Sequence, residues 1–262
     1  MVIGLLKNFR FIINSNEKVV VHYYFLYFCV NFLNNLFSNL MAKSTLLKSS
    51  IAKKVAMALS GVFLISFLAL HFFINFVSVF SADSFNEMSH FMGYNPVIQY
   101  VMQPVLVAGV IFHFVMGFVL EFKNRNARPI AYVKFDGGAN SSWASRNMII
   151  SGLVVLAFLG LHMYDFWFHE IVYKYVEGNA IEETRYYGEL VAKFESPVRT
   201  GLYSVAFVLL ALHLWHGFTS SLQSIGFDSK IGKSLHTICY SFAVIVPAGF
   251  VFIAIFHHLI NN

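Results

Sequence analysis

The strongest constraint on the fold is a set of five long apolar segments, at residues 55–80, 96–120, 147–168, 197–222 and 235–260. Each is near or above the ~18–20 apolar residues that a helix needs to cross a bilayer. Hydrocarbon offers no water to a backbone amide, so a spanning segment must close its own hydrogen bonds, and segments of this length do so as helices. Composition agrees: 58% of the chain is hydrophobic and only 12% is charged, about half the usual charged fraction of a soluble domain. The expected fold is therefore all-α, an integral membrane bundle of five transmembrane helices. Pro96 and Pro197 stand at helix starts, where a missing N–H costs little. Pro104 and Pro247 fall inside spans and are expected to bend them.

The loops set an expected orientation. The leader before the first span is basic (MAKSTLLKSSIAKK), as are the 121–146 loop with Lys123, Arg125, Arg128, Lys134 and Arg146, and the loop with Lys230 and Lys233. The 81–95 loop has Asp83 and Glu87 with no Lys or Arg, and the 169–196 loop is mainly acidic. Positive residues stay inside, so the N-terminus is expected in the cytoplasm and the C-terminus outside. The net charge of +5 is then an orientation signal, and no nucleic-acid partner is read from it.

Residues 1–40 differ from the rest. The stretch 19–37 has spanning length but contains Asn31, Asn34 and Asn35 and is flanked by basic residues on both sides, in conflict with the positive-inside rule. Met41 is expected to be the natural start, with a signal anchor or interfacial helix as the alternative. Cys29 and Cys239 form no C-x-x-C pair, which excludes zinc ribbons and covalently attached c-type haem. Neither a Walker loop nor G-x-G-x-x-G occurs, and no internal repeat or soluble domain stands out.

Each of the first four spans carries one histidine well inside it: His71, His113, His162 and His213. An ionisable ring in hydrocarbon is costly and points to function. Each lies about 9–15 Å from the end of its helix at ~1.5 Å per residue. Because the helices alternate in direction, His71 and His162 share the outer level, and His113 and His213 the inner level. A single membrane histidine more often bonds a neighbouring helix. Two level pairs on parallel helices instead suit two bis-histidine haems b, one per leaflet. Gly117 and Gly217 lie four residues after His113 and His213, on the same helix face, where a missing side chain would admit a macrocycle; plain helix packing also uses this spacing. His216 stays ambiguous on this argument. His90, His169, His236, His257 and His258 lie near interfaces and read as solvated or snorkelling. Arg146 begins the third span and could meet a haem propionate or a quinone carbonyl, although an ordinary cytoplasmic anchor explains it as well. Asn75 could serve the outer pocket or a helix end.

These motifs carry a resemblance. LHFFIN with His71, FHFVMG with His113, GLHMYDF with His162 and LHLWHG with His213 resemble the cytochrome b subunit of succinate dehydrogenase/fumarate reductase (succinate:quinone oxidoreductase), in its five-helix, two-haem, single-anchor, Bacteroidetes-like form. The resemblance covers about residues 42–262. It implies haem iron bound by His71 with His162 and by His113 with His213. It also favours His213 over His216, through the family's glycines four and thirteen residues after the ligand, here Gly217 and Gly226. It further implies two haem b cofactors, quinone (menaquinone) as electron partner, flavoprotein and iron–sulfur subunits docked on the cytoplasmic face, and a bacterial cytoplasmic membrane location. Dehydrogenase chemistry would reside in those partners. The glutamate that some relatives carry two residues before the fourth-span ligand is Ala211 here, which puts that proton path in doubt. Two other readings compete: a dihaem anchor of a hydrogenase or formate dehydrogenase, and a transition-metal transporter. The transporter needs mid-membrane carboxylates, and Asp165 is the sole acidic residue within the five segments.

Overall fold

The structure is a computed structural model that describes residues 49–126, 147–179, 182–226 and 230–260. The doubtful extension 1–40 and Arg146 lie outside the described residues.

The described chain is helical, without a strand. In order it forms α1 (Ser50–Val77), α2 (Ala82–Tyr94), α3 (Gln103–Asn126), α4 (Met148–His162), α5 (Arg185–Phe194), α6 (Pro197–Ile225) and α7 (Lys230–Ile260). Five helical stretches are long and apolar enough to cross a membrane: Ile51–Val77, Ile98–Asn126, Met148–Val176, Pro197–Ile225 and Ser234–Ile260. The short helices α2 and α5 cover one end of the bundle.

Local sequence accounts for the helix ends. Ser81 caps α2 by accepting from the Ser84 N–H, with Asp83 in the first turn. Ser196 caps α6, Pro197 opens it, and Gly226 ends it in the left-handed region at φ 84°, a conformation that costs glycine little. A π-helical turn, Ile98–Met102, leads into α3. It widens the helix just before Pro104, whose missing N–H cannot complete the α-helical ladder.

The third span runs past the expected end at residue 168. Beyond α4 it continues through π-helical Met163–Phe168, one α turn at His169–Ile171 and π-helical Val172–Val176. Glu170 and Lys174, which read as loop residues, sit on this helix four residues apart and pair at 2.5 Å. Lys174 also donates to the Gly93 carbonyl at 2.6 Å, and Arg185 pairs with Glu170 and, at 2.6 Å, with Glu189. Their charges are matched within the end cap, so the helix need not stop for them.

Four spanning helices form a ring in which α1 packs on α3, α3 on α4, α4 on α6, and α6 back on α1. Diagonal partners are therefore α1 with α4 and α3 with α6. Helix α7 lies outside this ring, packed along α6 and against α1. Ala243 and Ala254 are fully buried there and let the helices approach closely, as small residues do between membrane helices. The apolar core joins Ile74, Phe207, Val246, Phe250 and Ile253 to Phe85 of α2 and Leu190 and Phe194 of α5. Outward faces stay apolar and exposed, with Leu59, Phe73, Val105, Ile150, Val205, Ile245 and Phe252 among them, as lipid-facing surfaces should be.

One contact tests this packing. A β-carbon on Gly249 of α7 would collide with the Phe72 ring, which is held between Phe76 at 5.5 Å and Phe250 at 5.2 Å. Gly249→Ala is expected to cost roughly 1–3 kcal/mol by overpacking, read as a lower midpoint of thermal unfolding in detergent. Gly201→Ala, which meets no atom within 4 Å, should hold or raise the midpoint.

Candidate functional site

The two diagonals of the ring are each bridged by histidines. His71 of α1 and His162 of α4 have ring centroids 5.5 Å apart with planes at 83°. His113 of α3 and His213 of α6 lie 6.5 Å apart at 69°. The first pair is nearer the α2/α5 end and the second nearer the opposite end. His213, not His216, faces His113.

The surroundings of these rings repeat. Phe67 stacks on His71 at 5.6 Å, and Phe158 stacks on His162 at 6.0 Å. Ser60 Oγ lies 2.9 Å from His113 Nδ1, and Ser151 Oγ lies 3.4 Å from His213 Nδ1. A β-carbon on Gly61 would sit 3.5 Å from His113 Cε1, and one on Gly152 the same distance from His213 Cε1. The sequence explains this symmetry. MALSGVFLISFLALH, ending at His71, matches MIISGLVVLAFLGLH, ending at His162, in Met57/Met148, Ser60/Ser151, Gly61/Gly152, Phe67/Phe158 and His71/His162. His113 and Gly117 recur as His213 and Gly217 at the same spacing. The expectation of no internal repeat is corrected: the ring is built from two related helix pairs, α1 with α3 and α4 with α6.

The two predicted glycines each lie beside a methionine. Gly117 faces the Met57 methyl, with 3.6 Å to an added β-carbon, and Gly217 faces the Met148 methyl at 3.9 Å. The glycines beside the imidazoles are Gly61 and Gly152, and the repeated Ser-Gly pair is the signal that could have found them. Asn75 donates to the His71 carbonyl at 2.8 Å, and its amide nitrogen lies 3.5 Å from His71 Nε2. It therefore serves the helix end and borders the ring at once.

Two polar clusters near the α2/α5 end were not foreseen. Asp165, with a fully buried side chain, receives Arg199 at 2.7 and 2.8 Å and the Tyr203 hydroxyl at 2.8 Å. This triad ties the third span to α6 beside His162, whose ring lies 6.3 Å from Tyr203. His257, expected to be solvated, is fully buried in α7, and its Nε2 lies 2.8 Å from Ser78 Oγ. His258 Nδ1 lies 2.8 Å from the Phe194 carbonyl. The correction at His257 has a simple cause: α5 folds over the end of α7 and buries that ring, while His258 stays half-buried. In that cap burial opposes the Arg185 charge, but hydrogen bonds to Glu170 and Glu189 raise its pKa above the ordinary guanidinium value. Burial and the Glu170 charge also push the Tyr186 phenol up.

The donor chemistry fits a planar metal cofactor held between paired imidazoles. Two imidazoles on opposite sides of one metal, with bonds of about 2 Å, place their ring centroids about 6 Å apart, close to both observed separations. His162 Nδ1 is buried without a hydrogen-bond partner among the described residues, as is His90 Nδ1. No family model, curated protein or solved structure matches the chain, and its chemistry is read from this geometry.

The Asp165 triad yields an asymmetric prediction. Arg199→Met leaves a fully buried carboxylate without its cation and is expected to cost about 3–5 kcal/mol. Asp165→Asn should cost less, because Arg199, 29% exposed, still reaches water. Thermal unfolding of the two variants in detergent compares them.

Proposed function

We propose that the chain is a membrane cytochrome b, holding two haems b by bis-histidine ligation and carrying electrons between a dehydrogenase and membrane quinone. The observation that carries this reading is the pair of histidine couples on the two diagonals of a four-helix ring. His71 and His162 would hold one haem, and His113 and His213 the other. When bound, the haems would supply one-electron transfer.

The protein's own part is positioning and insulation. Each ligand histidine comes from a different helix, so the two diagonals fix ring separation through helix packing. Phe67 and Phe158 restrict rotation of the outer rings, and Ser60 and Ser151 hold the inner ones. The apolar core beside α7 keeps water from the outer pair, with Phe250 5.9 Å from His71. The basic loops face the cytoplasm in this reading. That puts the His113–His213 couple on the electron-entry side and the His71–His162 couple near the outer surface, where quinone (menaquinone) would be reduced or oxidised.

The sequence motifs around the four histidines extend the proposal to the membrane anchor of a succinate dehydrogenase/fumarate reductase in a bacterial cytoplasmic membrane. A flavoprotein subunit and an iron–sulfur subunit would dock on the cytoplasmic face. A dihaem anchor of hydrogenase or formate dehydrogenase would use the same two couples, so the co-purifying subunits distinguish the two.

A reduced-minus-oxidised spectrum with a haem assay on the purified protein is expected to give two b-type haems per chain. His71→Ala or His162→Ala should remove one, and His113→Ala or His213→Ala the other. Purified protein without haem, or His213→Ala retaining both while His216→Ala loses one, would overturn the assignment.

A further inference from the structure

The repeated Ser-Gly pair places one hydroxyl against each inner histidine, and its hydrogen-bond directions can be worked out. Ser60 Oγ lies 2.8 Å from the Met57 carbonyl, and Ser151 Oγ lies 2.9 Å from the Met148 carbonyl. A carbonyl can only accept, so each hydroxyl proton points to its own helix backbone. What each oxygen offers its histidine, at 2.9 Å for His113 and 3.4 Å for His213, is a lone pair. The Nδ1 of each ring must then carry the proton. A neutral imidazole has one N–H, so Nε2 is left with the free lone pair that a metal requires. Donation from the serine to a carbonyl also makes its oxygen the better acceptor.

From this we propose that Ser60 and Ser151 are positioning residues that fix the tautomer of His113 and His213 and lower the reduction potential of the inner haem. The proposal rests on the two-haem reading above. A ligand imidazole that donates its second N–H becomes the more basic donor. That favours the oxidised iron, and hydrogen bonding around the ligand is one of the levers by which a protein sets haem potential. The outer couple is built differently. His71 and His162 are stacked by phenylalanines, and the buried Nδ1 of His162 has no hydrogen-bond partner among the described residues. The two halves of the chain thus share helices and histidines, while the hydroxyl tethers serve the inner couple.

The test is a potentiometric titration of the haem absorbance in purified full-length protein. It compares the wild type with Ser60→Ala, Ser151→Ala, the double variant, and Ser60→Thr with Ser151→Thr. The inner haem is identified as the one missing from His113→Ala. Its couple is expected to move upward in the double alanine variant, with a change of roughly tenfold in the oxidised-to-reduced ratio at fixed potential, about 59 mV for one electron. The outer couple should stay in place, and threonine, which keeps the hydroxyl, should restore the inner one. Two haems with unchanged potentials in the alanine variants would overturn this proposal and leave the two-haem reading intact. A downward shift would overturn it as well, because it would mean that the serines donate to the rings. Haem loss in both the alanine and the threonine variants would also overturn it, showing that the serines act through shape. Wild-type protein without haem would remove the reading and the proposal together.

Discussion

Inside hydrocarbon a polar group has only the protein to bond to, and this structure is arranged around that constraint. Backbone groups are met by helices, including one π-helical turn just before Pro104 interrupts the ladder. Side chains follow the same rule. Asp165 is enclosed by Arg199 and Tyr203, His257 by Ser78, and the inner histidines by serines whose own protons go to carbonyls. Among the described residues a buried ring nitrogen with no hydrogen bond remains at His162, as it does at His90. The His162 ring is oriented instead by Phe158 and by the opposing His71.

Much of this arrangement was legible in the sequence, for a physical reason. Span length and apolarity depend on composition over some twenty residues, so the five spans could be read directly. Alternating helix direction then put His71 level with His162 and His113 level with His213, and the ring brings those same side chains together. What could not be read depended on contacts between distant segments. Glu170 and Lys174 belonged to a helix only because Arg185 and the Gly93 carbonyl share their charges. His257 was buried only because α5 folds over α7. Arg199 carries no signal in the sequence that it pairs with Asp165, 34 residues earlier on another helix. The Ser-Gly repeat was different: it was present in the sequence, hidden because the helices that carry it differ at most of their lipid-facing positions.

The repeat clarifies what each helix contributes. In the paired elements α1 with α3 and α4 with α6, the first helix supplies Met, Ser, Gly, Phe and an outer histidine. The second supplies an inner histidine and the glycine that faces the methionine. An inner histidine therefore meets the serine of its own pair, Ser60 for His113 and Ser151 for His213, and then meets its partner histidine across the ring. Each pair is incomplete without the other, because neither contains both histidines of a couple.

Symmetry of this kind would make the two ends of the bundle differ only through level, and the rest of the chain breaks it further. Helix α7 packs against α6 and α1 and has no counterpart on the other side among the described residues, and Phe250 approaches His71 at 5.9 Å. Asp165 and Arg199 occupy one side alone, since the residue matching Asp165 in the first pair is Ile74. The α2 and α5 cap closes one end and buries its charges. The two histidine couples therefore sit in unequal environments, and the inequality comes from unrepeated elements added to a repeated frame.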